Sequence, residues 1–192
     1  MAARAVLVSL VALGLGPLQA SAGPQLRDVA GRYVISARDS RIAFTVPAVG
    51  GAEVHGRFGK FAGSFDIDGT NLASSSVRIT IFPQSVSTGE RRVEGFLRSD
   101  AIFDAANSPE IVFRSTRVRR TGDDTAAIEG RLTARGRTFG ETFNARLDGV
   151  GKGTIRFRVD GRILRSRYHM DAGTPIYSNV VNFNMTLVGK RG

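Results

Sequence analysis

The sequence predicts an all-β protein, a closed antiparallel barrel of about eight strands with one short helical segment. Three observations predict this fold. The 192 residues include 23 glycines and 12 phenylalanines, and glycine supplies the positive φ angles that tight turns need. Apolar residues recur at every second position in many segments, which is the period of a strand with one buried face. The chain shows no alternation of strand and helix patterns, which argues against a parallel α/β sheet.

Residues 1–22 have the pattern of a cleaved secretory signal. Arg4 precedes an apolar run over residues 5–15, and the segment ends in the small residues Ala20-Ser21-Ala22. The run is too short for a membrane-spanning helix, which needs about 20 apolar residues. We therefore expect an exported mature domain of residues 23–192, in the periplasm or secreted. An uncleaved N-terminal anchor is the alternative.

The strands are predicted from apolar residues that alternate with polar ones. The clearest is residues 155–163, where apolar side chains alternate with charged ones. Turn signals at residues 68–69, 121–124, 135–136 and 149–153 separate the strands, as in an antiparallel meander. In chain order, the predicted inward residues are Ile42, Phe44 and Val46; Val77, Ile79 and Ile81; Ile111 and Phe113; Ile128 and Leu132; Phe143, Ala145 and Leu147; Ile155, Phe157, Val159 and Ile163.

Two segments depart from the period of two. Between Val54 and Ile67 the inward positions change from even to odd numbers, which predicts a β-bulge near Gly59. Residues 91–105 lose the strand period, and we expect a short α- or 3₁₀-helix there that covers one end of the barrel. Its inward residues are predicted to be Phe96, Leu97 and Phe103. They either complete the core or form a lid over a ligand pocket.

The chemistry available for catalysis is limited. The absence of cysteine excludes disulfides, thiolate nucleophiles and cysteine-based zinc sites. The two histidines are His55, expected to point outward from a strand, and His169, expected in a loop at the barrel mouth. No signature of nucleophilic or zinc-dependent hydrolysis is present. We therefore expect no enzyme, and a hydrolase that uses His169 with Tyr168 or Asp171 is the alternative.

The chain is strongly basic, with 27 Lys and Arg against 17 Asp and Glu, a formal net charge of +10. Removal of Arg4 with the signal would leave +9. The arginines alternate with apolar residues, which is typical of solvated strand faces. The alternative is an envelope-stress or surface-interaction protein whose arginines contact anionic membrane lipids. No nucleic-acid-binding motif is present, so we expect no nucleic acid partner.

Several blocks of the sequence occur in the order typical of one family. The blocks that carry the resemblance are Ser40-Arg-Ile-Ala-Phe-Thr-Val46, Val54-His-Gly-Arg-Phe-Gly-Lys-Phe-Ala-Gly63, Ser85-Val-Ser-Thr88, Phe96-Leu-Arg-Ser-Asp-Ala-Ile-Phe-Asp104, Ser108-Pro-Glu-Ile-Val-Phe-Arg-Ser-Thr116, Gly130-Arg-Leu-Thr-Ala-Arg-Gly136 and Gly161-Arg-Ile-Leu-Arg-Ser166. From about Tyr33 to Leu187 the chain resembles the YceI-like family of exported β-barrels. It departs from the family at Ala48, where a histidine is frequent, and at residues 165–170, which read Arg-Ser-Arg-Tyr-His-Met for Arg-Ser-Asp-Phe-Gly-Met.

The resemblance implies an eight-stranded antiparallel lipocalin-like barrel that carries a long isoprenoid lipid or a ubiquinone-like tail without catalysis. No other cofactor and no metal is expected. The sequence leaves open whether the barrel is hollow or filled, and whether the chain forms a homodimer. Strand parity and the predicted lid give the candidate ligand-binding residues Phe44, Val46, Phe58, Phe65, Ile79, Ile81, Phe96, Leu97, Phe103, Phe113, Leu132, Phe143, Phe157, Ile163, Tyr168 and His169.

Overall fold

The computed structural model describes residues 25–192, and the predicted signal sequence lies outside them. The described residues form one antiparallel sheet and one α-helix, α1, at Arg91–Arg98. The strands are β1 (Gly31–Ile35), β2 (Arg41–Pro47), β3 (Glu53–Phe58), β4 (Phe61–Ile67), β5 (Ser76–Ile81), β6 (Val86–Ser87), β7 (Ile111–Arg120), β8 (Thr125–Ala134), β9 (Arg137–Gly151), β10 (Thr154–Leu164) and β11 (Val180–Arg191).

The sheet closes into an eight-stranded barrel because three pairs of short strands each act as one. Both β1 and β2 pair with β11, at Tyr33 opposite Arg191 and at Ile42 opposite Met185. The second composite strand consists of β4, which pairs with β1, and β3, which pairs with β2. The third consists of β5, which pairs with β4, and β6, which pairs with β3. Strands β7 to β11 follow in order and return to β1. The predicted fold class is confirmed.

The predicted change of parity occurs between β3 and β4. Phe58 is buried at an even position, and Phe61 and Phe65 are buried at odd positions. The chain breaks the ladder over two residues, Gly59 and Lys60, whose N–H groups donate to the carbonyl oxygen and to Oγ of Ser85 at 3.0 and 2.8 Å. The parity switch predicted near Gly59 is present, and a break between two strands, over Gly59 and Lys60, produces it in place of the predicted β-bulge.

The alternation predicted for the other strands places their apolar side chains inside the barrel. On β10, for example, Ile155, Phe157, Val159 and Ile163 are all buried. The hairpin between β8 and β9 is the two-residue turn Arg135–Gly136, with φ angles of 47° and 69°, the positive values that tight hairpin turns require.

The two ends of the barrel differ. The connections at residues 48–52, 88–110, 135–136 and 165–179 meet at one end, which we call the mouth. At the opposite, closed end lies a 3₁₀-helix, Leu26–Val29, whose first residue donates from its N–H to the carbonyl of Asp123 at 3.1 Å. Leu26 and Val29 are only 3% and 2% exposed, so this helix seals the closed end. Within residues 25–192, no helix has the length and apolar character needed to span a bilayer.

Candidate ligand-binding cavity

A cavity of about 520 Å³ fills the part of the barrel nearest the mouth. Strands β2, β3, β5 and β7 to β11 form its wall, and α1 with the mouth loops forms its cover. Nearly all of the lining side chains are apolar. The four with a polar atom are Arg92, Arg165, Tyr168 and Tyr177. Such an interior favours an apolar ligand, since apolar surface removed from water contributes about 25 cal/mol per Å².

Thirteen of the sixteen predicted ligand residues line this cavity. They are Phe44, Val46, Phe58, Ile79, Ile81, Phe96, Leu97, Phe103, Phe113, Leu132, Phe143, Ile163 and Tyr168. The barrel is therefore hollow near the mouth, which the sequence left open.

The other three predicted residues lie elsewhere. Phe65 and Phe157 point inward but one layer closer to the closed end, where their rings pack edge to face at 5.6 Å. His169 is exposed, and it follows the 3₁₀-helix Arg165–Tyr168 with its backbone in the left-handed region, at a φ angle of 56°. It does not line the cavity, because the turn directs Tyr168 inward and the next residue outward.

The prediction missed one whole wall of the cavity. The inward residues of β11 are Val181, Phe183, Met185 and Leu187. Their period of two was present in the sequence and could have found them. The loop residues Met170, Ala172 and Tyr177 also line the cavity, and no periodic signal marks them.

The lid helix α1 is fastened along one side. The guanidinium of Arg98 donates to the carbonyls of Gln84 and Val86 at 3.0 and 2.8 Å. Oε1 of Glu94 accepts from the N–H groups of Thr88 and Gly89 at 2.9 and 3.2 Å, and the Thr88 hydrogen bond is the main reason that the pKa of Glu94 is lowered. Phe96 lines the cavity yet remains 45% exposed, so the cover is thin there.

A buried arginine organises the longest mouth loop. Arg165 is 5% exposed and uses all five N–H donors of its guanidinium. The acceptors are the carbonyl of Ser178 at 2.8 Å, that of Ala172 at 2.9 Å, that of Tyr177 at 2.9 Å, Oγ1 of Thr174 at 2.9 Å and the carbonyl of Met170. These bonds fold residues 170–178 against the cavity. The side chain has no donor left for a ligand.

A second polar contact closes the mouth from another side. Nη1 of Arg135, in the β8–β9 turn, donates to the carbonyl of Ile102 at 3.2 Å and to the carbonyl of His169. The turn thereby joins the segment that follows α1 to the loop that follows β10. We call this contact the Arg135 latch.

The residues of the hydrolase alternative are not brought together. Tyr168 is fully buried, whereas His169 and Asp171 are exposed. The hydroxyl of Tyr168 donates to Glu141, and burial raises the pKa of Tyr168, with the Glu141 contact adding to the effect. A raised pKa keeps the phenol neutral, which is the opposite of what a nucleophile or base requires.

Solved structures share this barrel. BcnA of Burkholderia cenocepacia superposes with a TM-score of 0.75 at 22% identity, covering 80% of this chain and 98% of that one. A polyisoprenoid binding domain from Saccharophagus degradans superposes with a TM-score of 0.64 at 19% identity, covering 83% of this chain and 98% of that one. Identities this low establish the fold alone.

Sequence comparison establishes the family as well as the fold. A UPF0312 protein of Pseudomonas aeruginosa is 34% identical over 145 residues, which are 74% of this chain and 74% of that protein. The model of the YceI-like domain matches residues 33–189, from the first barrel strand to the last. The resemblance drawn from the sequence blocks is thus confirmed, and the chain belongs to the YceI-like family.

Proposed function

We propose that this protein is an exported, non-enzymatic carrier that holds the tail of an isoprenoid lipid or quinone inside the barrel. The observation that carries the proposal is the 520 Å³ apolar cavity, closed at one end and covered at the other by a helix. The structural likeness to a polyisoprenoid binding domain from Saccharophagus degradans supports this class of ligand. The predicted signal sequence supports a periplasmic location.

The position of the polar groups sets the direction in which a ligand lies. Arg92 lines the cavity from α1, at the mouth, whereas the donors of Arg165 and Tyr168, also at the mouth, are already used within the protein. The deeper wall is apolar. A tail therefore enters first, and a polar head group stays near solvent at the mouth, where it keeps its hydration.

Native mass spectrometry of the protein from its own host, followed by lipid extraction, tests the proposal. We expect an adduct whose mass series shows isoprene spacing, on a chain that begins at Gly23. A blocking variant, Ala134→Phe, places a ring on the cavity wall and should lose the adduct. Its control, Thr133→Phe, adds the same ring at the neighbouring position on β8, which faces away from the cavity. A bare protein that takes up neither prenol nor quinone would refute the carrier.

We also propose that the outer wall contacts anionic membrane lipids. The observation is a row of three exposed arginines, Arg78, Arg114 and Arg131, which stand directly opposite one another on β5, β7 and β8. We call them the arginine row. Small residues, Ser64 and Gly140, continue the row on either side.

The positive charges of the arginine row are not paired with carboxylates of the described residues. Within residues 25–192 no carboxylate lies within 4.0 Å of any of the three guanidinium groups. Like charges directly opposite on a sheet repel one another, and a layer of lipid phosphates would relieve that repulsion. Other exposed arginines, Arg119, Arg146 and Arg158, already pair with carboxylates at 4.0, 3.1 and 3.0 Å.

Flotation with phosphatidylglycerol vesicles tests the contact. Replacing the arginine row by glutamine should abolish binding at low salt, whereas glutamine at Arg119, Arg146 and Arg158 removes equal charge and should preserve most of it. Wild-type binding should fall steeply with salt. Equal losses in the two triple variants would assign binding to net charge, and absent binding at low salt would refute the contact.

A further inference from the structure

The cavity ends at three aromatic rings in mutual contact, which occupy the next layer of the barrel. Tyr33 stacks on Phe65 at 5.6 Å, and Phe65 meets Phe157 edge to face at 5.6 Å. They are 2%, 5% and 8% exposed, and none of them lines the cavity. We call these three residues the aromatic floor. On β10, Val159 lines the cavity and Phe157, two residues further down, does not, while Leu187, opposite Phe157 on β11, is among the lowest lining residues.

The aromatic floor is held from below and from the side. The hydroxyl of Tyr33 donates to the carbonyl of Val29 at 3.2 Å, and Arg191 donates to that hydroxyl at 3.0 Å. The ring of Phe65 lies over Gly189, where a Cβ atom would be 2.7 Å from Cε2 of Phe65 and 2.8 Å from Cβ of Tyr33. The rings therefore have little room to swing aside.

The side chains below the aromatic floor do not line the cavity. Ile155 and Leu147 are buried there, and neither of them contacts it. The 3₁₀-helix Leu26–Val29 covers them from the closed end. A ligand that reaches the aromatic floor finds no continuation of the cavity beneath it.

The volume above the aromatic floor fixes how much hydrocarbon fits. At the packing density of protein interiors, about 0.74, a cavity of 520 Å³ holds roughly 20 carbon atoms. That is the carbon content of about four isoprene units. The strands continue well beyond this depth, so the limit comes from the side chains and not from the length of the barrel.

We propose that the aromatic floor sets a chain-length limit, so that the site buries about four isoprene units and leaves the rest of a longer tail outside the mouth. This inference rests on the proposed carrier function and specifies its ligand. Each unit that enters adds affinity through burial of its carbon atoms, and units that remain in water add none. The affinity should therefore rise with tail length and then reach a plateau.

The test measures affinity across two series by displacement of one fluorescent apolar probe. The first series is linear prenols from farnesol through geranylgeraniol to solanesol, and the second is unbranched alkanols of comparable carbon number. For the wild type, affinity should rise at least about ten-fold from farnesol to geranylgeraniol and then change less than about three-fold. A continued rise to solanesol would overturn the chain-length limit.

Two variants locate the limit. Phe157→Ala removes one ring of the aromatic floor and should move the plateau to about one further isoprene unit, with at least about ten-fold tighter binding of the five-unit prenol. Ile155→Ala is the matched control, because it removes a buried side chain two residues lower on β10 and leaves Phe157 in place. Its plateau should stay at the wild-type length. A shift in both variants, or in neither, would overturn the role of Phe157.

The two series separate this inference from the carrier proposal. If alkanols reach a plateau and prenols do not bind, the proposal of an isoprenoid ligand is wrong, and the chain-length limit set by the aromatic floor is supported. If prenols bind without a plateau, the carrier stands and the chain-length limit is wrong. If neither series displaces the probe, both are wrong.

Discussion

The hydroxyl of Tyr168 donates a 2.9 Å hydrogen bond to Oε1 of Glu141 inside the wall of the barrel. Tyr168 is completely buried and Glu141 is 9% exposed, with Arg167 placed 3.6 Å from the same carboxylate oxygen. The contact ties the 3₁₀-helix that follows β10 to β9, and Phe139 packs edge to face on the Tyr168 ring at 5.4 Å. This pair therefore holds one side of the mouth in place.

Tyr168→Phe should lower the free energy of unfolding by about 1–3 kcal/mol, because the buried carboxylate of Glu141 loses its hydroxyl donor and keeps only the longer contact with Arg167. The pH dependence should also change. Since the pKa of Tyr168 is raised by folding, its contribution is complete below the unfolded value of about 10 and is lost as the pH rises above it. Urea titrations between pH 8 and pH 11 should show a smaller alkaline decline in the variant. Tyr177→Phe, at a more exposed tyrosine, is the control, and an unchanged alkaline slope in Tyr168→Phe would contradict the assignment.

The sequence predicted which side chains face inward but not how deep each lies. The period of two identifies a face of a strand, and it assigned Phe157 and Ile163 to the interior equally. Only the packing shows that Ile163 lines the cavity and Phe157 closes it. Height along the barrel depends on the stagger between neighbouring strands, which no single strand encodes.

Two polar residues of the site carried a signal that the prediction did not use. Glu141 stands two positions before the inward Phe143, and Arg165 two positions after the inward Ile163. A charged residue that continues the apolar period of two, on a strand as Glu141 on β9 or directly after one as Arg165 after β10, is an exception that calls for a buried partner. The partners themselves, Tyr168 and the carbonyls of residues 170–178, come from irregular chain whose path the pattern does not predict.

Arg165→Lys should destabilise the protein by about 3 kcal/mol or more, although it keeps the charge. Lysine offers three donors in place of five, so several buried carbonyls lose their partner. Residues 170–178 should become less protected, which hydrogen exchange followed by mass spectrometry measures. Arg162→Lys, at an exposed position near the end of β10, should change stability by less than about 0.5 kcal/mol. Wild-type protection of the loop in Arg165→Lys would show that Arg165 does not organise it.

Breaking the Arg135 latch should speed ligand exchange without removing the site. Arg135→Asn removes the donor to the carbonyls of Ile102 and His169 and suits the left-handed backbone, with φ of 47°, since asparagine tolerates that region. Loss of about 1.4 kcal/mol of contact between the mouth loops should raise the dissociation rate of a bound apolar probe about ten-fold in stopped-flow experiments. Arg137→Asn removes the same charge on the exposed side of β9 and should leave the rate unchanged. Equal rates in Arg135→Asn and wild type would show that these loops do not gate the cavity.

Gly189→Ala should destabilise the barrel by about 1–3 kcal/mol, because the new methyl group meets Phe65 and Tyr33 at distances that side-chain carbons do not tolerate. The cause is steric, and shortening Phe65 relieves the part of the clash that its ring makes. Phe65→Leu in the Gly189→Ala background should cost less than Phe65→Leu alone, and a double-mutant cycle from urea denaturation measures the difference. Gly140→Ala is the control, since a Cβ there meets nothing within 4 Å and should be neutral or slightly stabilising. Additive effects of the two substitutions would mean that Gly189 is required for a reason other than the seating of Phe65, and that close approach at Gly189 does not hold the aromatic floor in place.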